Sequence, residues 1–153
     1  MKYRRVFPWL LVLLWMGLIF SQSHKPATES NKLSKGVTEI IVETVEKINP
    51  DSDVDISVSR LNHILRKNAH FFSYLLLGIL TLNALRISGA KGYKLYGFAL
   101  LICILYSISD EFHQTFIPGR GGQVKDVIID SAGALVGIGL RFMKGKVKVN
   151  VKR

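Results

Sequence analysis

Four long apolar blocks dominate the sequence and restrict the folds open to it. They are Val6–Phe20, Ala69–Ile87, Tyr93–Ser109 and Val127–Leu140. A helix needs about 20 mainly apolar residues to cross a bilayer, within a range of about 17–25. Two blocks meet this length alone, and the other two meet it together with their polar flanks. The pattern excludes a soluble domain and predicts an all-α bundle of four transmembrane helices, with spans at about residues 6–23, 69–87, 93–109 and 125–142.

The basic residues are divided unevenly between the two sides that four spans create. Segments 1–5, 86–94 and 141–153 hold twelve of the 21 Lys and Arg residues and none of the 11 Asp and Glu residues. Because Lys and Arg near span ends are retained in the cytoplasm, we expect a multi-pass protein of the cell membrane with both termini cytoplasmic. The division of the basic residues among three segments argues against a nucleic-acid partner.

The predicted membrane domain covers residues 6–142. It lies between a basic N-terminus at 1–5 and a basic tail at 143–153. The first apolar block also fits a secretory signal peptide, because small serines follow it at cleavage spacing. Its length and its two bulky tryptophans favour a retained anchor. Cleavage would leave three spans with the same outer face.

The outer segment, residues 24–68, contains one amphipathic pattern. Apolar residues within Val37–Ile48 share one helical face and glutamates lie opposite, which predicts an extra helix that packs on the bundle or its rim. The run Asp51–Asp55 resembles the start of a calcium loop, but Ile56 replaces the required Gly and Asn62 the required Glu. The single cysteine of the chain excludes a disulfide and argues against a thiolate zinc site.

Charged residues gather at the outer ends of three spans, whereas the inner ends carry only basic residues. The candidates for binding an anion are Arg66, Lys67 and Arg120, and the candidates for orienting a ligand or moving a proton are His70, Asp110, Glu111, His113, Asp126 and Asp130. Alternating spans bring these ends to one membrane side, so we expect a common extracytoplasmic mouth. Helical spacing predicts that Asp110, His113 and Gln114 face one way.

Asp130 lies about one turn inside the apolar fourth span. An ionisable residue at this depth costs about 2.5–3.5 kcal/mol on insertion scales, so it normally faces a partner or a cavity. One interpretation is an ion pair with Lys67, Arg66 or Arg120 that locks helices together. The other interpretation is a functional group in a pocket, and the residue alone does not decide between them.

Small residues recur along the fourth span. Gly133 and Gly137 are four positions apart, so they lie on one helix face. Small residues at this spacing let two helix backbones approach closely, and we expect that packing role here.

Three chemistries fit the outer group of residues. The cations and the glycine-containing loop would bind a phosphate or a carboxylate. A histidine beside an aspartate would perform general acid–base work. Histidines and acids also offer ligand types for a divalent metal, but no specific metal spacing is met. We therefore predict neither a metal nor another cofactor.

Three motifs in a fixed order carry a family resemblance. They read RKNAHFFSY at 66–74, DEFHQTFIPGR at 110–120 and DVIIDSAGALVG at 126–137. They resemble the VanZ-like family of small bacterial membrane proteins, and the resemblance extends from about Phe7 to Phe142. It implies a bacterial polytopic membrane protein, and the founding member of the family is linked to resistance to the glycopeptide teicoplanin. The resemblance implies no particular reaction.

The residues and the resemblance together favour one function and leave others open. The favoured one is a cell-envelope protein whose outer pocket binds an anionic lipid or a lipid-linked wall precursor and which contributes to teicoplanin resistance. One alternative is an intramembrane hydrolase or transferase acting on a lipid head group, which would show turnover when purified. Another is a proton-coupled lipid transporter, which flux into proteoliposomes would reveal. A purely structural membrane module would show none of these activities.

Overall fold

Four α-helices make up most of the described chain, and no strand occurs in that part. The computed structural model describes residues 3–26, 28–29, 36, 40, 43–44, 47 and 58–150. The helices are α1 (Tyr3–Ser23), α2 (Val58–Ile87), α3 (Gly92–Gln114) and α4 (Val124–Asn150). The all-α prediction is confirmed. The extra helix predicted within Val37–Ile48 lies largely outside the described residues, as does the calcium-like run that precedes α2.

Three of the four helices are long and apolar enough to cross a membrane. The qualifying stretches are Arg5–Ser23 in α1, His63–Ile87 in α2 and Gly92–Gln114, which is the whole of α3. α4 is not among them, because acidic residues near its beginning and basic residues towards its end interrupt its apolar sequence. Three of the four predicted spans are thus helices with the length and composition needed to cross a membrane, and the fourth helix exists at the predicted place.

The outer surface of the bundle is apolar on all four helices. Exposed side chains include Leu14 of α1, Phe72 of α2, Phe98 of α3 and Leu135 of α4. Large exposed apolar surfaces are rare on soluble monomers and mark contact with a membrane or a partner. α4 therefore contributes to the apolar exterior together with α1, α2 and α3.

α2 and α4 form the most extensive helix pair of the bundle. Gly133 packs against the backbone carbonyl of Phe71, and Gly137 packs against that of Leu75. From the other side, a Cβ on Gly78 would lie 2.6 Å from the carbonyl oxygen of Ala134. The close approach predicted for Gly133 and Gly137 is confirmed, because no side chain larger than hydrogen fits there.

Side-chain hydrogen bonds tie α1 to its neighbours along its length. Trp9 Nε1 donates to Ser88 Oγ at 2.9 Å, and Trp15 Nε1 donates to the carbonyl oxygen of Ser73 at 2.9 Å. The start of α1 therefore lies beside the end of α2, and the two helices run antiparallel.

The helices alternate in direction, so one end of the bundle combines the ends of α1 and α3 with the beginnings of α2 and α4. We call it the polar end, and it contains Ser23, His70, Asp110 and Asp130. The opposite connection between α2 and α3 is a short turn in which Gly89 adopts a φ of 104°, a conformation that favours glycine.

Two helices extend further at the polar end than the apolar blocks predict. α2 begins at Val58, eleven residues before its apolar block, and α3 ends at Gln114, five residues after its block. Hydropathy marks only the apolar part of a helix. In α3 the backbone hydrogen bonds continue through polar residues whose side chains are buried, namely Asp110 and Glu111.

Candidate functional site

A polar cavity of about 140 Å³ opens at the polar end of the bundle. It is lined by residues of three helices and the α3–α4 loop: His63, Arg66, Lys67, His70, Glu111, Gln114, Gly119, Arg120, Gly121, Gln123, Asp126, Ile129 and Asp130. The cavity combines seven of the nine residues that the sequence singles out as site candidates. The other two, Asp110 and His113, are not part of its lining.

Helical periodicity explains how α2 and α4 present their groups to the cavity. Arg66, Lys67 and His70 fall within one turn of α2, and Asp126 and Asp130 are one turn apart on α4. Residues three or four apart lie on one side of a helix. Because α2 and α4 pack so closely, these two polar faces meet.

An ion pair joins the two helices at the cavity. Lys67 Nζ lies 2.7 Å from Asp126 Oδ1, and both side chains are about a quarter exposed. Lys67 is therefore engaged with Asp126 and not with Asp130. An ion pair at this degree of exposure contributes at most about 1 kcal/mol, so it orients the two groups more than it stabilises the fold.

Asp130 is buried, with 1% of its surface exposed, and it makes no ion pair within the described chain. Its Oδ2 accepts a hydrogen bond from Ser107 Oγ of α3 at 3.0 Å. Its Oδ1 has no hydrogen-bond partner among the described residues. The interpretation of Asp130 as a helix-locking ion pair is therefore wrong, because the available cations of α2 and the loop engage other groups or none.

A second set of buried groups connects α1 to α3 behind the cavity. Ser23 Oγ donates to Asp110 Oδ2 at 2.7 Å. Gln114 Nε2 donates to Glu111 Oε1 at 2.9 Å and to Asp110 Oδ2 at 3.4 Å. Asp110 and Glu111 are 1% and 6% exposed. This network fixes both acids, with Glu111 at the cavity wall and Asp110 against α1.

The α3–α4 loop folds back onto α3 and brings Arg120 to the cavity. Its Nη1 donates to Gln114 Oε1 at 3.4 Å, and its Nη2 donates to the carbonyl oxygen of Gln22 at 3.2 Å. Gly119 adopts a φ of 74° in this loop. Burial, and after it the neighbouring Arg66 guanidinium, lowers the pKa of Arg120 from its ordinary value. The two guanidiniums are thus close enough to repel each other.

The loop is also held by Glu111. The backbone N–H of Gln123 donates to Glu111 Oε2 at 3.0 Å. Gly122 lies against the same residue, since a Cβ there would be 2.5 Å from the Glu111 carbonyl oxygen. Both carboxylate oxygens of Glu111 therefore have donors, and its role in the geometry is to position the loop.

His113 faces away from the cavity. Its Nε2 lies 3.1 Å from His24 Nδ1, and the two rings stack with centroids 5.4 Å apart. Phe20 packs against the His113 ring at 4.4 Å. His113 belongs to the contact between α1 and α3, separate from the cavity that contains His70.

Among the residues outside the cavity lining, three that make contacts at this end are not site candidates drawn from the sequence. Ser23 is the last residue of α1 and His24 follows it, and their partners lie 87 and 89 positions away, so no local pattern reveals them. Ser107 carries a signal, because it is a hydroxyl within an apolar span. Small hydroxyl residues are common in such helices, however, and this signal is weak.

The arrangement can bind an anion and also offers a free acceptor. Arg66 of α2 and Arg120 of the loop form the cationic side, Asp130 lies on α4, and His70 lies one turn after Arg66 on α2. Among residues 3–26 and 58–150, no three His, Cys, Asp or Glu side chains are grouped as a metal-binding set. Recognition of a charged group is the chemistry that the geometry favours.

A family model described as VanZ/LLP1 matches residues 7–144 of the chain. The matched region includes all four helices apart from their outermost residues, and it includes every residue that lines the cavity. No curated protein and no solved structure matches the chain.

Proposed function

The chain belongs to the VanZ/LLP1 family, and from that premise we propose that it is a multi-pass protein of the bacterial cell membrane whose polar-end cavity binds the phosphate of a lipid or of a lipid-linked wall precursor. The observation that carries the proposal is the pair of guanidiniums, Arg66 and Arg120. Both line the cavity, and neither forms an ion pair with a carboxylate in the described chain.

Phosphate suits this pair for two physical reasons. Arginine donates in a planar fork that matches phosphate oxygens, and such charge-assisted bonds are stronger than neutral ones. The mutual repulsion of Arg66 and Arg120 is relieved when an anion lies between them. The hydrogen-bond partners of Arg120 are the neutral oxygens of Gln114 and Gln22. The nearby carboxyl groups of Asp110 and Glu111 act on its charge without an ion pair in the described chain.

The position of the cavity supports a lipid as the bearer of the phosphate. It lies at the end of a bundle whose exterior is apolar, and such an end would meet the head groups of a bilayer whose hydrocarbon core is about 30 Å thick. The basic segments at the opposite end favour an orientation with the polar end outside the cytoplasm. A lipid of the outer leaflet would then present its phosphate at the cavity while its chains stay in the bilayer.

Binding of paired lipids to the purified full-length protein tests the proposal. Phosphatidylglycerol is compared with diacylglycerol, and undecaprenyl phosphate with undecaprenol, because each pair differs in the phosphate. The wild type is expected to prefer the phosphorylated member. Arg66→Gln is expected to weaken its binding about tenfold or more, since a hydrogen bond to a charged group contributes about 1.5–3 kcal/mol.

Arg86→Gln is the matched control, because Arg86 is exposed at the opposite end of the same helix. It is expected to bind as the wild type does. Equal binding of phosphorylated and unphosphorylated lipids, or equal binding by Arg66→Gln and Arg86→Gln, would refute the proposal. Tighter binding of phosphatidylglycerol would indicate a bulk membrane lipid as the ligand, and tighter binding of undecaprenyl phosphate would indicate a lipid-linked precursor.

The cellular consequence we propose is reduced susceptibility to teicoplanin. A sensitive strain that expresses the wild type should tolerate more teicoplanin than the same strain expressing Arg66→Gln. Equal inhibitory concentrations would exclude the resistance role, and the lipid-binding measurement would stand independently of that result.

An enzymatic alternative is favoured by one specific observation. His70 and Asp130 line the same cavity as the two arginines, so an imidazole and a carboxylate would adjoin a bound phosphate. This arrangement fits a hydrolase or transferase acting on a lipid head group. Release of product from a bound lipid, lost in His70→Ala, would favour the enzyme, and binding without turnover would favour the binding protein.

A further inference from the structure

Asp130 offers the cavity an acceptor that no described residue of the protein uses. The side chain is 1% exposed and lines the cavity. Ser107 occupies its Oδ2 at 3.0 Å, and Oδ1 has no hydrogen-bond partner among the described residues. A buried acceptor without a donor is costly in a folded protein. A ligand that brings a donor to this oxygen would remove that cost.

The other acids of the cavity are already engaged. Lys67 holds Asp126 at 2.7 Å. Glu111 accepts one hydrogen bond from Gln114 and one from the Gln123 backbone. Among the described residues that line the cavity, Asp130 is therefore the buried carboxylate with an oxygen left for a ligand, whereas Asp126 is partly exposed and ion-paired. Asp110 Oδ1 also lacks a donor, but Asp110 is not part of the lining.

The unpaired cations of the cavity and its unpaired carboxyl group lie on different elements of the fold. Within the described chain, Arg66 of α2 and Arg120 of the loop supply positive charge without an ion-paired acid, and Asp130 of α4 supplies a carboxyl group without an ion-paired base. We infer that the ligand carries a primary ammonium group beside its phosphate, with the phosphate at Arg66 and Arg120 and the ammonium donating to Asp130. This inference rests on the proposed phosphate site and specifies the head group that the site takes.

The size of the cavity limits which part of the ligand enters. Pockets that enclose a drug-sized molecule have volumes of about 300–1,000 Å³, and this one has about 140 Å³. A phosphate and a two-carbon amine are small enough for this volume, whereas a glycan with an attached peptide is not. The acyl chains of the ligand would remain outside, against the apolar exterior of the helices.

A methylation series on the wild-type protein tests the inference without any mutation. Phosphatidylethanolamine, its N-monomethyl and N,N-dimethyl derivatives and phosphatidylcholine share one phosphate and differ in the number of N–H donors. Binding of each to the full-length protein is measured in a detergent that contains no phosphate. Phosphatidylethanolamine should bind about tenfold more tightly than phosphatidylcholine, which corresponds to about 1.4 kcal/mol, with the derivatives in between.

Asp130→Asn then tests whether Asp130 is the residue that binds the ammonium group. The variant should lose the preference for phosphatidylethanolamine over phosphatidylcholine and should retain binding of phosphatidylglycerol, whose phosphate contacts the arginines. Glu29→Gln removes an exposed acid outside the cavity lining and should keep the preference. If Asp130→Asn does not fold, the methylation series on the wild type decides alone.

The outcomes separate this inference from the proposed function. The inference is overturned if the affinity does not change along the methylation series. It is also overturned if Asp130→Asn keeps the full preference for phosphatidylethanolamine over phosphatidylcholine. If Arg66→Gln still weakens every phosphorylated lipid in that case, the phosphate site stands and only its ammonium partner is refuted. If Arg66→Gln binds every lipid as the wild type does, the proposed function fails and the inference fails with it.

Discussion

The close packing of α2 on α4 predicts that one added methyl group at Gly78 destabilises the bundle. A Cβ there would lie 2.6 Å from the carbonyl oxygen of Ala134 and 3.1 Å from its Cα. Ordinary contact begins at 3.4 Å, so the two backbones must separate by about 0.8 Å. Overpacking lowers the stability by about 1–3 kcal/mol, whereas replacing Gly by Ala inside a helix stabilises it by up to about 1 kcal/mol. We expect Gly78→Ala to lower the free energy of unfolding by about 1–2 kcal/mol.

Reversible unfolding in mixed micelles, followed by circular dichroism, measures this change. Gly139→Ala is the matched control, because a Cβ at that position on α4 meets nothing within 4 Å. It should be as stable as the wild type or slightly more stable. Gly137→Ala, whose Cβ would lie even closer to the Leu75 carbonyl, should lose more than Gly78→Ala. The reasoning is refuted if Gly78→Ala and Gly139→Ala unfold with the same free energy.

Two further predictions concern the polar end. Ser107→Ala removes the hydroxyl that donates to Asp130 and should lower the free energy of unfolding by about 1–3 kcal/mol. Ser109→Ala, at an exposed position of the same helix, should change it little, and equal effects of the two would contradict the burial argument. Gly121 is exposed, and a Cβ there meets nothing within 4 Å. Gly121→Cys should therefore react with a membrane-impermeant maleimide added to intact cells. Lys91→Cys, in the turn at the opposite end, should react only after the membrane is opened. Labelling in the reverse order would invert the proposed orientation.

The helices were predictable from the sequence because their dominant signal is local. Runs of apolar residues mark α1, α2 and α3 without knowledge of the fold, and the spacing of Gly133 and Gly137 indicates a close helix contact. The position at which α3 ends was not predictable in this way. Asp110 and Glu111 continue the helix because Ser23 of α1 and Gln123 of the loop satisfy them, and such partners are distant in sequence.

The sequence predicted which residues gather at one end of the bundle. It did not predict which of them contact one another. Helical spacing places Asp110, His113 and Gln114 together, but each residue advances about 100° around the axis. His113 and Gln114 therefore lie on opposite sides of Asp110, and a neighbouring helix decides which side faces a cavity. Gln114 turns to the cavity, whereas His113 turns to His24 of α1.

The glycine contact and the cavity are parts of one interface between α2 and α4. Gly133 follows Asp130 by three residues, and it contacts the carbonyl of Phe71, the residue after His70. The absence of a side chain at Gly133 is thus what lets the backbone carrying Asp130 approach the helix carrying His70. A larger residue would separate the two helices where Lys67 meets Asp126, and the charges of the cavity would move apart. The small residues of α4 therefore determine the geometry of the site although none of them offers a group to a ligand.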